Sequence, residues 1–225
     1  MDRSDEANEF VLKEVKNLAK LHSEYVVTYY HSWLESNHLF IQMEFCSQSL
    51  KPVLKDKPIV FGRQPEDQMN ILECVQYLHE SNPPIIHRDL KPDNILIDPN
   101  FRSNRFIKLC DFGLAKEINI NGHTSSRYGH TSGVGTIKYM SPETHLGKQY
   151  NHKSDIYSLY VIGEEIFNID LQASQTFMAK ESVIKTCLQC MYRTLLAMMS
   201  TPFWKDRPEC RQVLAKCNEW AIDKN

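Results

Sequence analysis

Glycine is scarce in this chain, eight in 225 residues, and none of the eight falls in a Gly-x-Gly-x-x-Gly arrangement. Gly133 and Gly135 form the only Gly-x-Gly pair, and Lys138 stands where a third glycine would be needed. A glycine-rich loop of that form, whose backbone N–H groups cradle phosphates, is therefore missing. Long apolar runs are also lacking; none approaches the roughly 20 residues of a membrane helix. The opening Met1-Asp2-Arg3-Ser4-Asp5-Glu6 is acidic where a signal peptide is basic, so a cytoplasmic address is expected. Neither sign of charge dominates: 26 Lys and Arg against 28 Asp and Glu give a net charge of −2. That balance offers no electrostatic reason for direct nucleic-acid binding. Seven cysteines, odd in number and scattered, argue against a disulfide framework. Cys187 and Cys190 form the only Cys-x-x-Cys, without a second ligand pair at metal-site spacing, and are read as packing.

What is present is an ordinary globular mixture, 42% hydrophobic and 24% charged, long enough to bury a sizeable core. Residues 7–21 place Phe10, Val11, Val15, Leu18, Ala19 and Leu21 on one helical face, with Glu14 beside the stripe. Residues 25–33 and 38–45 are strand-like runs parted by Glu35-Ser36-Asn37. Residues 46–57 read as a connector. A helix is predicted over 65–79, ended by Pro83-Pro84. Ile95-Leu96-Ile97 and Phe106-Ile107-Lys108-Leu109 predict a hairpin around a polar tip. A polar stretch of about 25 residues follows Gly113, a length usual for functional loops. From Lys153 onward the pattern suggests three or four helices.

Two motifs carry chemistry. His87-Arg88-Asp89-Leu90-Lys91-Pro92-Asp93-Asn94-Ile95-Leu96-Ile97 is followed by Asp111-Phe112-Gly113. A single Asp or Asn usually caps a helix or stabilises a turn. Here Asp89, Lys91, Asn94, Asp111, Gly135-Thr136, Ser141-Pro142-Glu143, Asp155 and Arg207 stand in one order. In that order the chain resembles a eukaryotic protein kinase of the serine/threonine type, from its C-helix to its end. The resemblance implies an α+β, protein-kinase-like fold with a truncated small lobe (C-helix and two strands) and a mainly helical C-lobe. Residues 1–46 would be the partial small lobe and residues 47–225 the C-lobe.

By the same resemblance Asp89 accepts the substrate proton, and Lys91 neutralises charge on the transferring phosphate. Asn94 and Asp111 would hold magnesium against ATP. Met43 would be the gatekeeper, and Glu44 to Cys46 the hinge meeting adenine. Glu143 and Arg207 resemble a buried ion pair, and Asp155 an anchor of the catalytic-loop backbone. Thr136 would pack beside Asp89 and Lys91. Arg88 would pair with a phosphate on the following segment, with Thr131 the candidate site ahead of Thr124, Ser125, Ser126 and Ser132. Within kinases, residues 25–35, 39–46 and 133–143, with Ser141 before Pro142-Glu143, are similar to the kinases of translation initiation factor 2 alpha subunit. That subunit is therefore an expected protein substrate.

Glu14 fits the C-helix glutamate, but the strand lysine it would pair with is missing along with the glycine-rich loop. Tyr160 stands where the family has glycine, and residues 168–180 match the docking helix of these kinases poorly. Two expectations follow. In one, the sequence is a piece of a serine/threonine kinase; in the other, it is a catalytically impaired pseudokinase or interaction module.

Overall fold

The computed structural model describes residues 15–36, 38–55, 66–97, 107–118, 137–148, 150–167, 183–200 and 203–216. Glu14, Thr131, Thr136, the rival hydroxyls of residues 124–132 and the stretch 168–180 lie outside them. Helix α1 covers residues 15–20, and Leu18 and Leu21 are buried beneath it. Strands β1 (Tyr29–Glu35) and β2 (His38–Met43) form an antiparallel hairpin, Trp33 opposite Phe40 and Glu35 opposite His38. Ser36 turns the chain at φ 48, a left-handed setting that short polar residues tolerate. The expected connector at 46–57 is corrected: Gln48–Ser49 is strand β3 and Leu50–Lys55 is helix α2. Pro52 disguised that helix. It occupies the first turn, where the N–H that proline lacks has no intrahelical partner anyway.

Helix α3 (Glu66–Glu80) matches the predicted helix within a residue and buries Ile71, Cys74, Val75 and Leu78 at helical spacing. Strands β4 (Ile85–Ile86), β5 (Ile95–Ile97), β6 (Ile107–Leu109) and β7 (Lys116–Glu117) are short. β5 and β6 pair as the predicted hairpin, Ile95 opposite Leu109, with β3 added on the far side of β5, and β4 pairs with β7. These ribbons border the stretch 87–94 and the turn at Asp111. Helices α4 (Pro142–His145), α5 (Lys153–Phe167), α6 (Val183–Met199) and α7 (Cys210–Ala215) complete the described elements. α5 is buried almost all round, the mark of a central core helix.

The amino-terminal elements are not loose. Val27 N donates to Leu109 O at 3.0 Å, Leu109 N donates to Tyr25 O at 2.9 Å, and Tyr25 stacks on Tyr77 of α3. Leu18, Val26, Leu109, Phe112 and Ile156 belong to one hydrophobic cluster. Tyr160 does not disturb it: the ring is buried edge-to-face on Tyr157. One turn further along α5, Gly163 lets Leu195 of α6 come close, since a Cβ there would meet Leu195 Cδ2 at 2.7 Å. Among the described residues no helix is long and apolar enough to cross a membrane.

Candidate active site

The stretch 87–94 is bent tightly between β4 and β5, and Asp155 holds the bend. Its carboxylate accepts from His87 N and Arg88 N, both at 2.9 Å, and from His79 Nε2 at 2.9 Å. Asp155 is fully buried, which alone pushes its pKa up. The hydrogen bond from His79, helped by the backbone donors, outweighs burial and leaves the carboxyl below its ordinary value. Arg88 can then hold φ 71 because its own amide and that of His87 are both tied to Asp155.

That bend gathers four of the expected residues at one cleft. Lys91 Nζ donates to Asp89 Oδ2 at 2.7 Å. Asn94 Nδ2 lies 2.9 Å from Asp89 O, 3.1 Å from Asp89 Oδ2 and 3.3 Å from Asp111 Oδ2. One amide thus stands between two carboxylates. Cys110 N donates to Asn94 O at 3.1 Å, fixing the strand that delivers Asp111. Asp111 itself sits at φ 63, and the Phe112 ring behind it is buried against His87 at 4.9 Å. Asp89 is 6% exposed, and its other oxygen, Oδ1, has no hydrogen-bond partner among the described residues.

The donor set fits magnesium. Among the described residues no three His, Cys, Asp or Glu side chains form a metal cage. Magnesium does not call for one; it takes one or two carboxylates and completes its shell with water and phosphate oxygens. The Asp111 carboxylate and the carbonyl oxygen of the Asn94 amide, whose Nδ2 lies 3.3 Å from Asp111 Oδ2, would supply hard-oxygen ligands of that kind. Asp89 Oδ1, without a hydrogen-bond partner among the described residues, keeps the adjacent space polar.

Glu44, expected at the hinge, ties its carboxylate to neighbouring donors: it accepts from Thr28 N at 3.1 Å, Thr28 Oγ1 at 2.8 Å and Lys108 Nζ at 2.6 Å. Partial burial raises its pKa, yet these donors, Lys108 first, bring it below the ordinary value. Cys46 is half-buried and Met43 partly exposed.

Away from the cleft, Arg207 grips Glu143 with two bonds, Nη1 to Oε1 at 2.5 Å and Nη2 to Oε2 at 2.9 Å. Several positioning residues carried no sequence signal. His79 reads as one polar position on an amphipathic helix, and its bond to Asp155 spans 76 positions. Lys108, the partner of Glu44, reads as the outward residue of a strand. Next to His79, whose ring meets His152 edge-on at 5.0 Å, His152 Nε2 pairs with Glu209 Oε2 at 2.5 Å. That bond, together with Lys153, depresses Glu209 from 4.5 to about 2 despite burial. A carboxylate depressed in the folded state stabilises it above the unfolded value and loses that contribution as pH falls through the folded one. Urea midpoints are therefore expected to drop between pH 4.5 and 2, and Glu209→Gln should flatten that part of the profile.

A family model described as protein kinase domain matches residues 1–224. The interferon-induced, double-stranded RNA-activated protein kinase of Mus musculus is 30% identical over 92% of this chain and 43% of its own length. A MAP kinase kinase of Saccharomyces cerevisiae is 31% identical over 88% of the chain and 37% of its own. A probable serine/threonine-protein kinase of Dictyostelium discoideum is 35% identical over 69% of the chain and 37% of its own. The chain spans under half the length of these curated relatives.

Proposed function

Because the chain belongs to the protein kinase family, we propose that it carries the catalytic half of a serine/threonine kinase that moves the γ-phosphate of ATP to a protein hydroxyl. The observation that supports this most is the asymmetry of Asp89. One carboxylate oxygen is held by Lys91 and Asn94, and the other is buried without a partner among the described residues. An unpaired buried acceptor costs roughly 1–3 kcal/mol, so such groups mark sites kept for chemistry. A substrate hydroxyl brought to Oδ1 would give up its proton there while its oxygen bonds to the γ-phosphorus and the bond to the β-phosphate oxygen breaks. Lys91 is near enough to offset charge on the moving phosphoryl group. Asp111 and Asn94 would hold magnesium, which supplies charge neutralisation on the phosphates when bound.

The substrate class we propose is the alpha subunit of translation initiation factor 2. The stretches 25–35, 39–46 and 133–143 support it. Residues 1–46 are proposed as small-lobe sequence and residues 47–225 as C-lobe. Arg88, whose Nε is buried without a partner among the described residues, is proposed to receive a phosphate carried by Thr131. An interaction module is the second reading, and exposed apolar side chains on and just after the hairpin favour it: Tyr30 and Leu34 in β1 and Phe45 beyond β2 are well exposed, Phe45 at 86%.

Thermal unfolding of the 225-residue chain with ATP, with and without magnesium, separates the two. At one hundred times the dissociation constant, ligand stabilises by about 2.7 kcal/mol. For a domain of this size that corresponds to a rise of about 5–10 °C. The rise should require magnesium and vanish in Asp111→Ala, and the wild-type chain should label the alpha subunit. No Asp111-dependent rise and no labelled product would leave the interaction module standing.

A further inference from the structure

The side chain of Asn17 has no place in the chemistry above, yet it reaches nearly a hundred positions along the chain. Its Nδ2 donates to Phe112 O at 3.1 Å and lies 3.4 Å from Ala115 O. Those two carbonyls bound a turn, closed by Ala115 N donating to Phe112 O at 3.1 Å. The turn begins directly after Asp111, whose left-handed backbone is a conformation that L-residues other than glycine adopt at some cost. One turn further along α1, Lys20 Nζ meets Glu117 Oε1 at 2.7 Å. Residues three apart share a helix face, so α1 presents one polar edge to the segment that leaves Asp111. The two contacts differ in weight. Lys20 and Glu117 are both exposed, where an ion pair contributes little, whereas Asn17 is half-buried beside the fully buried Leu18, Phe112 and Ala115.

We infer that Asn17 is a positioning residue: its amide clamps the turn from Phe112 to Ala115 and so keeps the Asp111 carboxylate turned toward Asn94. The geometry leaves few substitutes. Phe112 is fixed in the core behind the turn, and beyond it β7 is held by its pairing to β4, the bond from Ile118 N to Pro84 O at 2.8 Å and the exposed Lys20–Glu117 pair. Between those anchors the carbonyls at 112 and 115 converge on one side-chain donor, and removing it leaves Phe112 O with Ala115 N and takes the amide from Ala115 O at the same time. The position of α1 and the orientation of Asp111 are thereby linked through a single amide. The bearing on magnesium rests on the proposed function; the clamp does not.

Hydrogen exchange of the full chain, resolved to residues, tests it without any ligand. Asn17→Ala removes the donor, and exchange at Ala115 to Ile118 should rise roughly tenfold, the effect of losing about one hydrogen bond. Amides of Val75 in α3 and Ile156 in α5 should not move. Asn17→Asp sets a carboxylate against two carbonyls and should do more; if it does not fold, the alanine variant decides. Lys20→Gln should change little. Unchanged exchange at 115–118, or an equal rise throughout the chain, would overturn the inference. With ATP present, Asn17→Ala should weaken the magnesium-dependent part of the thermal shift and add nothing in an Asp111→Ala background. A wild-type chain that ignores magnesium and ATP would remove the kinase reading and leave the exchange result to judge Asn17 alone.

Discussion

Arg207→Met is expected to destabilise the folded chain by about 3–5 kcal/mol, a large share of the stability of an ordinary domain. Arg207 is 1% exposed, and every nitrogen of its guanidinium is used. Two bonds go to Glu143, one to Lys153 O at 3.0 Å and one to Met199 O at 3.3 Å, while the face of the group lies 5.0 Å from the Tyr157 ring. The bonds tie together α4, the start of α5 and the end of α6. A methionine fills the volume but abandons the Glu143 carboxylate in a dry site. The double variant Arg207→Met with Glu143→Met should recover much of the loss, because most of the single-variant cost is the stranded charge. Urea unfolding of the three variants measures this. A single-variant loss below about 1 kcal/mol, or a double variant as unstable as the sum of the singles, would show the pair to be ordinary surface electrostatics.

That ion pair could be read from Pro-Glu in one motif and an isolated arginine 64 residues later only because a family pattern joins them. Local periodicity has no means of pairing residues so far apart. Where local physics suffices, the sequence is informative: α3 follows from apolar spacing, and the hairpin of β5 and β6 from β-branched runs around a polar tip. It fails where elements are too short to show a period. β3, β4 and β7 have two residues each and exist because neighbouring backbones need partners. Helix α2 was hidden by Pro52. Tyr160 stands where the family has glycine, yet sequence shows what a residue is, not the room around it; the structure buries the ring without conflict. The cleft divides the same way. Asp89, Lys91, Asn94 and Asp111 were visible as a motif, whereas His79 and Asn17, which position that stretch and the turn after Asp111, and Lys108, which holds Glu44, act through contacts that no spacing announces.

Among single substitutions in the cleft, Asp89→Asn should have the largest effect on chemistry, lowering phosphoryl transfer by roughly 10²–10⁴-fold while Mg-ATP still raises the melting temperature. The direction follows from the two donors already in place. Lys91 Nζ at 2.7 Å and Asn94 Nδ2 at 3.1 Å both require an acceptor, so an asparagine at 89 must turn its carbonyl oxygen toward them. Its NH2 group then takes the position of Oδ1, and an incoming hydroxyl meets a donor where it needs a base. Shape, burial and the bonds to Lys91 and Asn94 are kept, so loss of rate cannot be charged to collapse of the loop. Asp93→Asn is the matching control. Asp93 pairs only loosely with Lys51, at 3.7 Å on the surface, and its charge should matter little to rate. Full activity in Asp89→Asn would mean that the hydroxyl loses its proton elsewhere, and the partnerless oxygen would then need a different explanation.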